Sequence, residues 1–276
     1  MFRGILKRLF CTGQCVALFA MLGAVPSLAE SGSHYELTWS RDMPLTFFSA
    51  VSSVYGNYRY SQMDVLSDDD VIDKSMLLPW DRPVAGRYNG VADKVSDWVA
   101  VLGVAPLALA GYSWYGGEAT GKDFAAYTLM FAQALALQNG LNLLVRSTQL
   151  WPRPYIYATE GEGAEKARDA RGEAYGSFFS GHTSAAFTVA VFTGEWFSEV
   201  YPESPYKGVV WAASLSAAGM VGALRIAAGK HFPTDVVIGA LAGTGISLSV
   251  IKLHKAKNER VSLVAGPNTL CVSVRF

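Results

Sequence analysis

The sequence predicts an all-α fold: a helical bundle with about five transmembrane helices after a signal peptide, and a small β-like tail at the C-terminus. Three observations support this. Apolar residues make up 51% of the chain, which is at the upper edge of ordinary globular composition. From residue 98 onward, long stretches carry no charge and do not alternate as strands would. The N-terminus has the pattern of an export signal.

Residues 1–29 have the parts of a secretory signal peptide. Three basic residues open the segment, residues 16–25 form an apolar run, and small residues at 26–29 precede Glu30. We predict cleavage after Ala29. The alternative is an uncleaved anchor helix, although the apolar run is shorter than the roughly 20 residues that a span needs. Both interpretations export the chain from residue 30 onward.

Charge and cysteine content argue against two kinds of site. The chain has 23 basic and 23 acidic residues, and removing residues 1–29 leaves 20 basic against 23 acidic, a formal charge of −3. No basic stripe with interleaved aromatic residues is present, so we predict no nucleic-acid partner. Cys271 is the single thiol after the predicted cleavage, which excludes an intramolecular disulfide and a paired-cysteine metal site.

Residues 30–94 read as an exported N-terminal segment of mixed, polar composition. Its aspartate run at residues 68–73 is better explained as a solvated loop or a helix start than as a cation site, and we assign it no chemistry.

Five apolar stretches follow this segment. The first two are uncharged and long enough to cross a hydrocarbon core of about 30 Å. The other three are shorter than the usual threshold, so a soluble helical bundle is the alternative. The stretches are residues 98–117, 124–145, 183–194, 208–224 and 236–251.

Topology favours the membrane interpretation. If Glu30 lies outside, five crossings put the loops that carry all the candidate site residues on the outer face, and the basic flank at residues 252–260 inside. Gly239 and Gly243, four residues apart, would let two helices approach closely in lipid. The tail, residues 257–276, has short period-2 patches that predict a hairpin.

Three arginines stand at the ends of apolar stretches. Arg146 ends one, Arg153 lies between two prolines, and Arg225 follows another. A phosphoryl group needs several fixed positive donors, and guanidinium suits it because it stays charged and offers a planar fork. For each arginine alone, an interfacial anchor to lipid headgroups is the alternative.

The sequence Ser180-Gly181-His182 precedes an apolar helix. Ser180 can cap that helix, and Gly181 lets main-chain N–H groups close on an anion at the positive end of the helix dipole. His182 can donate a proton to a leaving oxygen. An ordinary helix cap followed by an interfacial histidine is the alternative.

His231 and Asp235 are four residues apart across Pro233, which favours a helix starting there with Asp235 in its first turn. A carboxylate in that position can hold one ring nitrogen of His231 and leave the other free to act as a nucleophile. Metal binding is disfavoured because neighbouring arginines would repel a cation.

Together the three groups resemble the type 2 phosphatidic acid phosphatase family, which includes bacterial class A acid phosphatases and vanadium-dependent haloperoxidases. The family pattern is Lys-(six residues)-Arg-Pro, then Pro-Ser-Gly-His, then Ser-Arg-(five residues)-His-(three residues)-Asp. Here these motifs fall at residues 146–154, 179–182 and 224–235, and the resemblance covers residues 95–253. As an ordered set they are highly specific.

The resemblance implies a role for each matching residue. His231 would be the nucleophile that forms a phosphohistidine, Asp235 would orient it, and His182 would protonate the leaving group and later help to activate water. The phosphate oxygens would be held by Arg146, Arg153, Ser180, Gly181 and Arg225. No metal or other cofactor is implied.

Three positions depart from the family pattern. Arg146 replaces the usual lysine, which keeps the charge but changes the geometry because arginine is longer and forked. Phe179 replaces a proline and Leu224 a serine. Both are supporting positions, so they affect fine positioning more than the reaction.

The resemblance therefore implies a catalytic phosphatase domain over residues 95–256. We expect hydrolysis of a phosphomonoester or diphosphate, most naturally of a lipid, at the periplasmic face of a bacterial inner membrane, with membrane lipids as further partners. Three alternatives are a soluble periplasmic acid phosphatase, a vanadium-dependent haloperoxidase, and a non-catalytic membrane protein that binds lipid headgroups.

Overall fold

The computed structural model describes residues 33–63, 74–97, 103–169, 171–255, 261–266 and 269–274, and these residues are mainly helical. The predicted signal peptide and the aspartate run lie outside the described residues. The α-helices in the described part are α1 (Trp39–Ser61), α2 (Gly90–Ser96), α3 (Ala105–Gly116), α4 (Gly121–Arg146), α5 (Gly161–Asp169), α6 (Gly181–Val200), α7 (Lys207–Ala227) and α8 (Pro233–His254). Short 3₁₀ turns lie at Lys74–Met76, Arg82–Val84, Pro154–Tyr157 and Arg171–Tyr175. Strands β1 (Val261–Gly266) and β2 (Thr269–Val274) pair antiparallel and form the hairpin predicted for the tail.

Local sequence signals explain where the long helices begin and end. Thr120 caps α4 by accepting the N–H of Asp123, and the Asp123 carboxylate accepts the N–H of Thr120. Pro233 is the first residue of α8, where its missing N–H costs nothing. Gly117 ends α3 in the left-handed conformation, with φ of 84°.

Helix α1 was not predicted, and it is an integral part of the bundle. It runs parallel to α4: the Gln133 amide donates to Thr46 Oγ1 at 2.8 Å, and further along Asn139 donates to the Ser53 hydroxyl at 3.1 Å. A Cβ added at Gly140 would lie 2.5 Å from the Ser52 main chain, so the two backbones touch. The polar residues that lower the apolar signal of α1 therefore include those that face α4.

Helix α6 packs between α7 and α8, and small residues set the spacing. A Cβ at Gly239 would lie 2.6 Å from the Ser180 carbonyl oxygen, and one at Gly243 would lie 2.1 Å from that of Ser184. The predicted close helix approach at these two glycines is confirmed. The main core lies alongside, where the rings of Tyr127, Phe192 and Trp196 cluster.

Three helices of the described chain are long and apolar enough to cross a membrane: α4, α7 and α8. Only 22% of the apolar window of α7 and 28% of that of α8 is buried within the protein. Outward apolar faces of this size are normally covered by lipid or by another protein. The other two predicted crossings correspond to α6 and α3. Helix α6 has 20 residues. Helix α3 has 12 residues and lies within the predicted crossing 98–117, whose first residues lie outside the described part of the chain.

The bundle has two distinct ends. At one end, residues 33–36 meet the C-terminus of α8: the Glu36 N–H donates to the His254 carbonyl, and Asp42 contacts the His254 ring at 2.6 Å. The opposite end gathers the C-termini of α1, α4 and α7 and the N-termini of α6 and α8. All the candidate site residues lie at this second end.

Candidate active site

His231 lies in the short connection between α7 and α8 and is only 2% exposed. Its Nδ1 atom is 3.6 Å from Asp235 Oδ2 and has no hydrogen-bond partner among the described residues. The same carboxylate oxygen accepts the Ser177 hydroxyl at 2.5 Å and the Phe232 N–H at 2.9 Å. Asp235 occupies the first turn of α8, as predicted, but two other donors hold it just beyond hydrogen-bond distance of the imidazole.

The surroundings of His231 favour its neutral form. Burial lowers its pKa well below the usual value near 6.5, and the charges of Arg153, Arg225 and Arg146 lower it further. An imidazole that stays neutral at mildly acidic pH retains a lone pair for attack on phosphorus. The charges of all three arginines therefore act on His231.

Main-chain carbonyls orient two of these arginines. Arg146 donates from Nε to the Gly176 carbonyl at 2.9 Å and from Nη2 to the Tyr60 hydroxyl at 2.6 Å. Arg153 donates from Nε to the Glu173 carbonyl, also at 2.9 Å. These bonds fix one edge of each guanidinium group. The arginine side chains are therefore already oriented and lose little conformational entropy when an anion binds. Arg146, which replaces the family lysine, can make both of these contacts because its side chain is forked.

Arg225 meets carboxylates from helix α2 and its C-terminal end. Its Nη1 donates to the Ser96 hydroxyl at 2.8 Å and lies 3.2 Å from Asp93 and 3.8 Å from Asp97. Its Nε is buried and has no partner among the described residues. A buried guanidinium N–H without a partner is unfavourable, and an anionic ligand would satisfy it.

Ser180 caps α6 as predicted, through a weak bond from the Thr183 N–H at 3.4 Å. Gly181 allows close packing, because a Cβ there would lie 2.6 Å from the Asn142 side-chain oxygen. His182 is more accessible than His231, with 37% of its side chain exposed, and its Nε2 lies 3.3 Å from an Asp97 oxygen. His182 is therefore partly exposed at the candidate site, whereas His231 is buried in it.

The structure adds residues that the sequence analysis did not assign. Asp93 lies on α2, Asp97 follows its last residue, and Lys230 precedes His231 directly. Lys230 is 7% exposed and its Nζ lies 3.1 Å from Asp93. Asp93 and Asp97 are four residues apart and therefore lie on one face of the helix that Asn89 caps. This spacing is the one sequence signal that could have identified them.

Comparison with known proteins places these residues in a family context. A family model described as the PAP2 superfamily matches residues 125–259, a range that contains all three motifs but not α1 or α2. LpxE from Aquifex aeolicus is 22% identical with a TM-score of 0.42, over 68% of this chain and 99% of that one. A transmembrane PAP2 type phosphatidylglycerolphosphate phosphatase from Bacillus subtilis is 17% identical with a TM-score of 0.45, over 78% and 96%. No curated protein matches the chain.

Proposed function

We propose that the chain, a membrane phosphatase whose residues 125–259 belong to the PAP2 superfamily, hydrolyses a phosphomonoester or diphosphate of a lipid through a phosphohistidine. One observation carries the proposal. A buried histidine whose neutral form is favoured lies where five helix ends meet, and the charges of three arginines act on it. Such a site attracts an anion and offers it a nucleophile.

In the proposed reaction, Nε2 of His231 attacks phosphorus while the bond to the leaving oxygen breaks. Since Nδ1 faces Asp235, the ring proton belongs on Nδ1 and Nε2 keeps its lone pair. His182 donates a proton to the leaving oxygen. It then accepts one from the water that attacks the phosphohistidine, which releases inorganic phosphate and restores both histidines.

The surface near the site supports a lipid substrate. Trp80, Leu150 and Trp151 are exposed at this end of the bundle, and the Trp80 ring N–H donates to Thr234 at the start of α8. Aromatic and apolar side chains at the end of a membrane-embedded bundle are typical of the headgroup region. The phosphate of a lipid headgroup in this region would therefore lie close to His231.

We place the site on the periplasmic side of a bacterial inner membrane. The support is the basic C-terminal flank, which begins with Lys252 and Lys255 at the opposite end of the bundle, as expected for a cytoplasmic face. Tyr35 forms a β-bridge with Lys255, so the residues that precede α1 share its side. Helix α1 runs parallel to α4. If α1 also crosses the membrane, a periplasmic site puts the residues that precede α1 on the cytoplasmic side. Cleavage after Ala29 would instead release Glu30 into the periplasm.

Cysteine labelling decides between these placements. In a variant without the native cysteines, a cysteine at the exposed Lys94 marks the site end and one at the exposed Glu118 marks the other end. For a periplasmic site, an impermeant maleimide labels the first position and not the second in cells with a permeabilised outer membrane. The reverse pattern would put the site in the cytoplasm. Mass analysis of the purified chain then reports whether residues 1–29 remain.

The enzymatic claim is tested by phosphate release from purified protein. The substrates are phosphatidate, phosphatidylglycerol phosphate, a polyprenyl diphosphate and a soluble phosphoester. We expect His231→Ala to reduce turnover to background and His34→Ala, a matched change at the other end of the bundle, to leave it unchanged. Retained activity in His231→Ala would remove the proposed nucleophile. Preference for the soluble ester, together with release from washed membranes, would favour the soluble acid phosphatase.

Two further assays separate the remaining alternatives. Bromide oxidation that depends on added vanadate would identify a haloperoxidase, which uses the same kind of anion pocket. Headgroup binding that is unchanged in His182→Ala, with no turnover in the unmodified protein, would favour a non-catalytic lipid-binding protein.

A further inference from the structure

The Asp93 carboxylate is held by three donors. Its Oδ1 lies 3.2 Å from Arg225 Nη1, and its Oδ2 lies 3.1 Å from Lys230 Nζ and 3.3 Å from the Tyr88 hydroxyl. One carboxylate thus bridges a guanidinium and an ammonium, and it also accepts a phenol O–H. Charged and neutral donors of these kinds also bind phosphate oxygens.

Two of these donors also belong to the candidate active site. Arg225 is the arginine of the third motif and is 3% exposed, and Lys230 is adjacent to His231 in sequence. The Lys230 ammonium lies 5.6 Å from the centre of the Tyr155 ring, so an aromatic face and a carboxylate both stabilise its charge. This cation is therefore held close to the proposed nucleophile.

The cations of this cluster are buried and only partly paired. Burial, and then the charge of Arg153, lowers the pKa of Lys230 to about 8, so a nearby anion would favour its charged form. The buried Nε of Arg225 has no partner among the described residues. Both features favour the binding of an anion beside these cations.

We infer that Lys230, Tyr88 and the Nη1 edge of Arg225 that faces Asp93 form a second anion subsite, so that Arg225 is shared with the phosphate at His231. Asp93 fills this subsite in the absence of substrate, and the subsite accepts the second phosphate of a diphosphate. This inference rests on the proposed function, in which the terminal phosphate binds at His231. The second phosphate then carries the leaving oxygen, and His182 lies nearby because Asp97, one turn after Asp93, contacts it at 3.3 Å. A substrate with one phosphate has no group for this subsite.

Helix α2 is suited to such an exchange. It has seven residues, and the Asp93 side chain is 18% exposed, so its carboxylate can turn toward water when phosphate oxygens take its three donors. Asp93 therefore competes with the second phosphate. Replacing the Asp93 carboxylate should strengthen binding of a diphosphate.

The test compares farnesyl diphosphate with farnesyl phosphate, which share one tail, on the purified full chain. We expect Lys230→Met to lower kcat/KM for the diphosphate about tenfold to hundredfold, mainly through KM, and to change that for the monophosphate less than about threefold. Asp93→Asn should lower KM for the diphosphate because the competing charge is gone. Lys94→Met, an equal charge change on the exposed face of α2, should leave both substrates unaffected.

Several results would overturn the inference. Equal losses on both substrates in Lys230→Met would mean that Lys230 only supports the His231 loop. A higher diphosphate KM in Asp93→Asn would mean that Asp93 positions the cations and does not compete.

Thermal shifts separate the subsite from turnover. If the unmodified chain hydrolyses neither substrate, the proposed function fails, but inorganic pyrophosphate should still stabilise it more than phosphate does. Lys230→Met should remove that difference. Equal stabilisation by the two anions in the unmodified chain would refute the subsite.

Discussion

Gly229→Ala tests whether the His231 loop depends on close contact with the N-terminal region. Gly229 has φ of 64°, and alanine in this conformation costs about 1–2 kcal/mol. Its new Cβ would lie 1.8 Å from the Arg87 carbonyl oxygen, whereas ordinary contact begins at 3.4 Å, so one backbone must retreat by about 1.6 Å. Overpacking of this kind costs about 1–3 kcal/mol more. We expect a total loss of about 2–5 kcal/mol in the free energy of unfolding.

The same displacement should impair catalysis. Gly229 is two residues from His231, and a shift of about 1 Å in a reacting group costs roughly a hundredfold in rate. We therefore expect kcat/KM to fall about a hundredfold, measured by phosphate release at a temperature where the variant remains folded. Thermal unfolding in detergent gives the stability change.

Gly117→Ala is the matched control for this experiment. Gly117 has φ of 84°, but a Cβ there meets nothing within 4 Å, and it lies at the end of the bundle away from the site. It should lose only about 1–2 kcal/mol and keep full activity. Equal stability and activity in Gly229→Ala and Gly117→Ala would refute this prediction, because the Arg87 main chain would then move away from the new Cβ at no cost in free energy.

Three other predictions concern charge. Arg153→Gln should raise the pKa of His231 and move the acidic limb of the kcat/KM profile to higher pH, since Arg153 is the largest charge effect on that pKa after burial; an unmoved limb would contradict this. Because the folded-state pKa of His231 lies below the unfolded value of about 6.5, the unfolded chain takes up the proton first. Acidification below about pH 6.5 should therefore lower the free energy of unfolding, and His231→Asn, followed by thermal unfolding across pH, should weaken that dependence. Asp42→Ala should cost about 3–5 kcal/mol by leaving the buried His254 without its carboxylate, while kcat/KM stays within about twofold; a large loss of activity would show coupling between the two ends of the bundle.

The motifs were predictable from sequence because their geometry is local. Ser180 caps α6 and Asp235 falls in the first turn of α8, since both depend only on residues within one helical turn. The spacing of Gly239 and Gly243 likewise puts them on one helix face, and that face packs closely against α6.

The expected contact between Asp235 and His231 shows where local reasoning stops. Their spacing predicts proximity, and the two side chains lie 3.6 Å apart. Whether they bond depends on Ser177, which is 58 residues from Asp235 in sequence and occupies the same carboxylate oxygen. No pattern within one helix reports that competitor.

Helix α1 was missed for a related reason. Its buried face carries polar residues such as Asp42 and Ser49, which made the region read as an exported polar segment. In the folded chain these residues face α4 and α8, while apolar residues such as Phe47 point outward. Hydropathy reports the average of a segment, and only the tertiary arrangement decides which face is buried.

From sequence alone, the site is predicted to carry out phosphate chemistry, because two histidines, three arginines and an aspartate occur in the order and spacing of a phosphate-transferring enzyme. The tertiary structure alone decided that α1 completes the bundle, and that Asp93 and Lys230 bring a further carboxylate and ammonium to the arginines. The physical reason is that capping and helix periodicity act over a few residues. Burial, ion pairing and the pKa of His231 depend on groups that come together only when distant segments pack.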